Sequence, residues 1–425
     1  MQRRYWQFYW PLALTGLTML LARQFENATL GRYANAAREL AVFAFAASAF
    51  ALLNASLAFV PQMTAVLARS ARARKRCLRL TVAVCCVLTV PLVLAGFTRT
   101  GALLLGRLFG IGAAVQVPVT HYLRLVSPLL VVNGLRQYYT GLLIQAKRTG
   151  VVTVLNGLML VIAGAVLLAG LHSGLRAVHT LAASLACSWL VHLVLSYVFY
   201  RRLYKPATDP ELKCLGYGAI LSFFWPVALT SLMFALSRPI LYSFVARLPE
   251  SEPAIASLRI AFDFALIFHN PLNQFRHLFV MYGREDALGV RRFMIRVTAV
   301  VTVVMITVAA TPLSKLVFGE LLGAPADIAA MARQVLWAGC LIPLIVTLRN
   351  YFHGLAMVGR STLGMGAGGI GRIAVIYGAA LACFSFGVLN HITAAAILTL
   401  GFAAEAIVVA CLSRFRASPS RQARA

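Results

Sequence analysis

The chain alternates long apolar runs with short loops in which Arg and Lys recur. Apolar stretches are read at 8–30, 40–67, 78–97, 120–145, 151–171, 178–199, 217–245, 254–280, 293–312, 328–356, 362–387 and 391–413. About 20 apolar residues are what a helix needs to cross the hydrocarbon of a bilayer. Inside hydrocarbon only helices and closed barrels satisfy every backbone N–H and C=O. The pattern therefore predicts an all-α polytopic membrane protein of about twelve transmembrane helices. Residues 1–22 have the outline of a signal peptide, with Arg3 and Arg4 ahead of an apolar run. A copy of the same segment recurs in mid-chain, where no signal peptide can lie, so the first run is read as the first transmembrane helix.

Composition narrows the class. Of 425 residues 60% are hydrophobic and only 12% charged, against about 45–50% and about 25% in soluble domains. A soluble enzyme and a disordered chain are both excluded. The formal net charge of +27 would suggest nucleic acid in a soluble protein. Here the basic residues sit in short loops between apolar runs, which is how the positive-inside rule appears. With the N-terminus in the cytoplasm, 22 basic residues fall inside and seven outside, so both termini are expected in the cytoplasm and the chain in the cell membrane. The eight cysteines form no C-x-x-C pair, and there is no P-loop, catalytic triad or metal motif. No enzyme activity, cofactor, metal or nucleic-acid partner is expected; the partners are the bilayer and a small anionic substrate. The oligomeric state stays open and is compatible with a monomer.

The chain also repeats itself. Phe8-Tyr-Trp-Pro-Leu-Ala-Leu-Thr15 matches Phe223-Phe-Trp-Pro-Val-Ala-Leu-Thr230, an offset of 215. Leu135-Arg-Gln-Tyr-Tyr-Thr-Gly141 matches Leu348-Arg-Asn-Tyr-Phe-His-Gly354, an offset of 213. Two such matches at half the chain length predict two pseudo-symmetric six-helix lobes, entering the membrane from the same side. The expected organisation is an N-lobe at 1–199, a cytoplasmic linker at 200–216, a C-lobe at 217–413 and a basic tail at 414–425. Duplicated lobes are the usual architecture of alternating access, which favours a transporter over a channel or receptor.

Ten arginines fall within or near apolar runs: Arg23, Arg124, Arg136, Arg238, Arg259, Arg276, Arg296, Arg333, Arg349 and Arg372. Each costs about 2.5–3.5 kcal/mol at a helix centre. Arg296, Arg333, Arg136 and Arg349 have a second reading, in which the side chain snorkels to the interface. Arg23 and Arg238 stand 215 residues apart, one in each repeat, and are expected at matching depth facing a common cleft. The acidic residues available are Glu26, Asp263 and Glu405. Glu26 follows Arg23 by three residues and Asp263 follows Arg259 by four, so each pair can share a helix face. They are read either as structural pairs or as proton relays lining a cavity. Even after pairing, arginine stays in excess, and its planar fork suits carboxylate and phosphate oxygens. The sign of the charge disfavours a cationic-drug antiporter.

Pro11, Pro226 and Pro239 lie in the first helix of each half, where a missing N–H frees a carbonyl. The stretch Phe268-His-Asn-Pro-Leu-Asn-Gln-Phe-Arg276 interrupts its apolar run, as a broken helix at a binding site or as the interfacial end of a long helix. Gly364-Met-Gly-Ala-Gly-Gly-Ile-Gly371 follows no strand and reads as small residues for close helix packing. Asn27-Ala-Thr29 fits the glycosylation pattern without being informative.

Leu221-Ser-Phe-Phe-Trp-Pro-Val-Ala-Leu-Thr230, Ser237-Arg-Pro-Ile240, His269-Asn-Pro271 with Arg276, Thr347-Leu-Arg349, Gly354, Thr362 and Gly371-Arg-Ile373 form an ordered set. With Tyr5-Trp6 and Phe25-Glu26, they make the chain resemble the progressive ankylosis (ANKH) proteins of the MATE-like superfamily. The resemblance spans most of the chain, densest in its second half. It implies twelve helices in two lobes and efflux of small polyanions such as ATP, citrate or pyrophosphate. The long acidic C-terminal tail of animal members is absent, so regulation through it is not carried over. The expected function is a secondary transporter that rocks two lobes around a central Arg-rich cavity. Arg23, Arg238, Arg276, Arg349 and Arg372 are expected as anion contacts, Glu26 and Asp263 as coupling or pairing groups, and His269 as a proton-sensitive contact. The alternative within the superfamily is a flippase for a diphosphate-linked lipid.

Overall fold

The computed structural model describes residues 2–15, 17–146, 148–204, 216–283, 285–358 and 363–416. Most of the expected linker 200–216 and of the tail 414–425 lies outside the described residues, as do Thr362 and the loop residues Lys147, Arg284 and Arg360. Among the described residues every regular element is a helix. In chain order these are α1 (Gln2–Thr15), α2 (Leu17–Leu30), α3 (Ala36–Ala55), α4 (Val60–Leu67), α5 (Ala71–Phe97), α6 (Arg99–Phe109), α7 (Ala113–Val126), α8 (Leu129–Gln145), α9 (Thr149–His172) and α10 (Ala177–Leu203). The second half continues with α11 (Tyr217–Val245), α12 (Ser251–Leu272), α13 (Phe275–Tyr282), α14 (Ala287–Ala310), the short α15 (Leu313–Lys315), α16 (Ala326–Ala338), α17 (Ile342–Val358), α18 (Leu363–Ser385) and α19 (His391–Arg416).

Each apolar stretch read from the sequence coincides with one of these helices or with a consecutive pair. Among the described residues seven helices are long and apolar enough to cross a membrane, and up to nine if each bent pair is one span. The bent pairs are α7 with α8, at 44°, and α16 with α17, at 43°. Large apolar side chains stay outside the packed interior, among them Val87, Val154, Val161, Val300 and Ile407. Water would penalise such a surface and lipid does not. The protein is an all-α, multi-pass membrane protein.

Helix boundaries carry the repeat further than the sequence matches do. An offset of 213 takes both ends of α8 onto those of α17, and brings α9 onto α18 and α10 onto α19 to within a residue. Helix starts are set locally. Ser70 accepts from the N–H of Ala73 ahead of α5, and Asp286 from that of Gly289 ahead of α14. Asp286 also accepts from the Tyr5 hydroxyl at 2.6 Å. That hydrogen bond, followed by the Gly289 N–H, holds its carboxyl below the ordinary value of 3.8.

Compactness partitions the chain differently from its order. One unit comprises residues 1–41 and 240–425, the other residues 42–239. The boundaries fall inside α3 and, at Pro239, inside α11, which runs from Tyr217 to Val245 through both of its prolines. In the first unit α18 packs along α19, α17 packs on α19, and α2 packs on α12. Gly368 permits the first of these: a Cβ there would lie 2.6 Å from Val409 Cγ2 and 3.3 Å from Glu405 Cγ. The glycine-rich stretch is thus a packing device, as its sequence suggests. In the second unit α8 packs on α4, α5 and α10, and α9 on α10.

Candidate functional site

Two charged clusters form inside the unit of residues 1–41 and 240–425. The first joins α2 to α12. Asp263 meets Arg23 Nη1 at 3.4 Å and accepts from Asn27 Nδ2 at 3.2 Å. Arg259 donates from Nε to Asn27 Oδ1 at 2.8 Å and lies 3.6 Å from Glu26. The sequence places each carboxylate beside the arginine of its own helix; packing also puts it against the arginine of the other. Asn27, with 0% exposure, ties the two pairs together. A buried amide holding two charged partners is no glycosylation acceptor. Two guanidinium groups face two carboxylates here, so the cluster is balanced. Arg23 remains the accessible member, its side chain 44% exposed.

The second cluster lies where α13, α17, α18 and α19 converge. Glu405 on α19 accepts from Arg372 Nη1 at 2.6 Å and from Arg349 Nη1 at 3.3 Å. His353 Nε2 stands 3.7 Å from its other oxygen. Arg349 and Arg372 also lie over the Phe402 ring, 5.6 and 5.5 Å from its centroid. Arg276 on α13 is in electrostatic range of both Arg349 and Glu405. The polar stretch 268–276 breaks the chain between α12 and α13. Asn273 at the break accepts from Arg349, and Asn350 donates to the freed carbonyl of Leu272 at 3.1 Å. The break is therefore part of the cluster, which settles the choice between a broken helix and the plain end of a long one.

The charge does not balance. Arg349 and Arg372 share one carboxylate with Arg276 in electrostatic range of it, and Glu405 is the only acidic residue after Asp327. Arg349 Nε and both ring nitrogens of His353 are buried without a hydrogen-bond partner among the described residues. A buried donor left unpaired costs about 1–3 kcal/mol. A group with several acceptor oxygens would relieve the strain.

Of the residues expected from sequence, Arg276, Arg349 and Arg372 meet in the second cluster, while Arg23, Glu26 and Asp263 meet in the first. His269 is buried in the last turn of α12. Arg238 is half-buried on α11 and belongs to the unit of residues 42–239. The snorkelling reading of Arg349 is corrected: its side chain is buried against Glu405 and Asn273. Arg333 instead donates to the carbonyls of Ala309 and Ala310. Asn27, Asn273, Asn350 and His353 join the clusters without standing out in the sequence as site residues. In the sequence Asn27 shows only as part of a glycosylation pattern, and Asn273 only as one polar residue in a broken run.

The family model of the progressive ankylosis protein (ANKH) matches residues 2–254, more than half of the chain. The chain belongs to that family. The match ends before His269, Arg276, Arg349 and Arg372, so the second cluster lies outside it. No curated protein matches the chain by sequence. Among solved structures it is similar to a multidrug resistance MATE family transporter of the MOP superfamily, in its inward-facing conformation. That likeness has TM-score 0.72 and 15% identity, over 97% of this chain and 96% of the other. The lipid II flippase MurJ, inward closed, gives TM-score 0.71 and 12% identity over 94% and 87%. A MOP superfamily transporter from Pyrococcus furiosus, described by the reverse polarity of its binding pocket, gives 0.62 and 14% over 96% and 93%. The ANKH-family chain therefore has the fold of MATE-type and MOP-superfamily transporters.

Proposed function

We propose that this chain is a secondary transporter of the cell membrane, with both termini in the cytoplasm, exporting small organic polyanions of the ATP, citrate or pyrophosphate kind by alternating access. The single observation that carries the reading is the buried excess of positive charge around Glu405, where Arg349 and Arg372 pair with one carboxylate and Arg276 stands in electrostatic range of it. Guanidinium forks bind carboxylate and phosphate oxygens in pairs. In low dielectric that attraction is worth far more than in water. Membership of the ANKH family supports the reading, and the fold it shares with MOP transporters supplies the means. Arg23 and Arg238 are assigned as further anion contacts and His269 as a proton-sensitive one. Glu26 and Asp263, held against Arg23 and Arg259, are assigned as the coupling pair.

Proteoliposomes loaded with labelled citrate or ATP test the proposal. Wild-type chain should release at least one of them, and Arg276→Gln should lower the rate about tenfold, the worth of one charged hydrogen bond. No flux of either compound, or unchanged flux in Arg276→Gln, would overturn it. The likeness to MurJ favours one second reading, a flippase for a diphosphate-linked lipid. It predicts translocation of such a lipid with no flux of the soluble anions.

A further inference from the structure

The cluster around Glu405 has a counterpart in the other unit, and the two differ in one decisive respect. An offset of 213 takes Arg136 to Arg349, Met159 to Arg372, Trp189 to Phe402 and His192 to Glu405. The counterparts meet one another within residues 42–239. Arg136 lies 5.4 Å from the centroid of Trp189, as Arg349 lies 5.6 Å from that of Phe402. Arg136 Nη1 is 3.6 Å from Met159 Sδ. His192 is in electrostatic range of Arg136, and its ring is held by Asn156 Oδ1 at 3.2 Å and Ser196 Oγ at 3.1 Å. The aromatic face and the guanidinium are kept, while the carboxylate has become histidine and the second arginine methionine.

Among the described residues no carboxylate takes the place of Glu405 beside Arg136. From Leu40 to Thr208 the sequence holds no Asp or Glu. Arg136 forms no ion pair among the described residues; its Nε and Nη2 both donate to Asn133 Oδ1, at 3.0 and 2.7 Å. Asn133 is 1% exposed and donates in turn to Asn54 Oδ1 at 2.6 Å, which fixes its oxygen toward Arg136. This network spends one edge of the guanidinium on a neutral amide. The Nη1 end is left with a thioether, a weak acceptor. Arg136 is itself half-buried.

We propose that residues 42–239 carry a second anion site, in which the Nη1 end of Arg136 takes one phosphate or carboxylate group over Trp189. The ligand's oxyanion occupies the electrostatic role that Glu405 fills in the first unit. Asn133 and Asn54 orient the guanidinium, and His192 leaves room for the ligand's charge. The site requires no transport, so it stands or fails independently of the function proposed above.

The test uses the purified full chain in detergent with two probes, inorganic pyrophosphate and dioleoyl phosphatidic acid in mixed micelles. Binding is read by titration calorimetry and by the shift in melting temperature. At least one probe should bind the wild type; which one identifies a soluble or a lipid-borne phosphate. His192→Glu rebuilds the carboxylate of the other unit and should lower affinity for that probe about tenfold or more, one charged hydrogen bond's worth. Its melting temperature without probe should equal or exceed that of the wild type, because the new carboxylate pairs with Arg136. His192→Gln, neutral and of similar reach, should bind within about threefold of the wild type. The proposal is overturned if neither probe binds, if His192→Glu binds as tightly as the wild type, or if His192→Gln loses as much as His192→Glu.

Discussion

Arg136 and Arg349 occupy the same place in the two repeats, yet one is closed by a carboxylate and the other is not. Arg349 shares Glu405 with Arg372 at the centre of a buried cluster. Arg136 rests on an asparagine, a tryptophan and a thioether. Duplication supplied the scaffold twice: a bent helix pair, a guanidinium at the same turn and an aromatic ring on the helix facing it. Divergence acted on the charge set over that scaffold. In a medium that cannot solvate ions, replacing one carboxylate by a histidine changes how much positive charge the cluster is left with.

The largest way to break the comparison is Glu405→Gln. Arg349 and Arg372 would then lose their shared carboxylate, and removing one partner of a buried ion pair costs about 3–5 kcal/mol. Thermal unfolding of the purified chain measures it; a loss within about 0.5 kcal/mol, the range of an ordinary surface change, would mean the cluster is not held by Glu405. A milder case is Arg372→Met combined with Glu405→His, which writes the chemistry of residues 42–239 into the second half. It removes one charge of each sign, so it should cost about 2 kcal/mol, less than Glu405→Gln alone. A double variant less stable than the single one would show that the scaffolds are not interchangeable.

Gly368→Ala tests geometry with every charge in place. The repeat counterpart is Leu155, buried in α9, whereas Gly368 lets α18 close on α19 beside Glu405. A methyl group 2.6 Å from Val409 Cγ2 and 3.3 Å from the Glu405 carbonyl forces Val409 or the helix spacing to shift, at about 1–2 kcal/mol of overpacking. The same unfolding assay detects it, with Leu155→Ala as the cavity-forming partner experiment.

The smallest effect concerns the matching helix starts, Asp286 ahead of α14 and Ser70 ahead of α5. The Tyr5 hydroxyl and the Gly289 N–H hold the Asp286 carboxyl below its ordinary value. A depressed carboxyl adds stability above the unfolded pKa, and that stability is lost as pH falls through the folded one. Tyr5→Phe should therefore lower the melting temperature slightly at neutral pH, and the difference from wild type should shrink once pH drops below the ordinary carboxylate range. Ser70→Ala, which involves no titrating group, should show a pH-independent loss. A Tyr5→Phe difference that grows toward acid pH would contradict the assignment.

Much of the fold was legible because a bilayer imposes simple rules. Span length, apolar content and the two repeat matches led to helices whose ends recur at an offset of 213. Site residues were legible as types more than as partnerships. Intramembrane arginines stand out against hydrocarbon, so Arg276, Arg349 and Arg372 could be named one by one. Their convergence on Glu405 could not, since it joins residues 33, 56 and more positions apart across separate helices. Arg136 passed as a residue able to snorkel, because the absence of a carboxylate near it is a fact about neighbours.

The sequence alone determined that this is a duplicated, arginine-rich helical membrane protein, because hydrophobic length and the cost of charge in lipid act on each segment separately. Only the tertiary structure decided which arginines are neutralised. That outcome depends on which helices touch and at what depth, and on carboxylates brought within a few ångströms across the packing. Arg349 met Glu405 there, whereas Arg136 met Asn133, with His192 at the position that the repeat gives to Glu405.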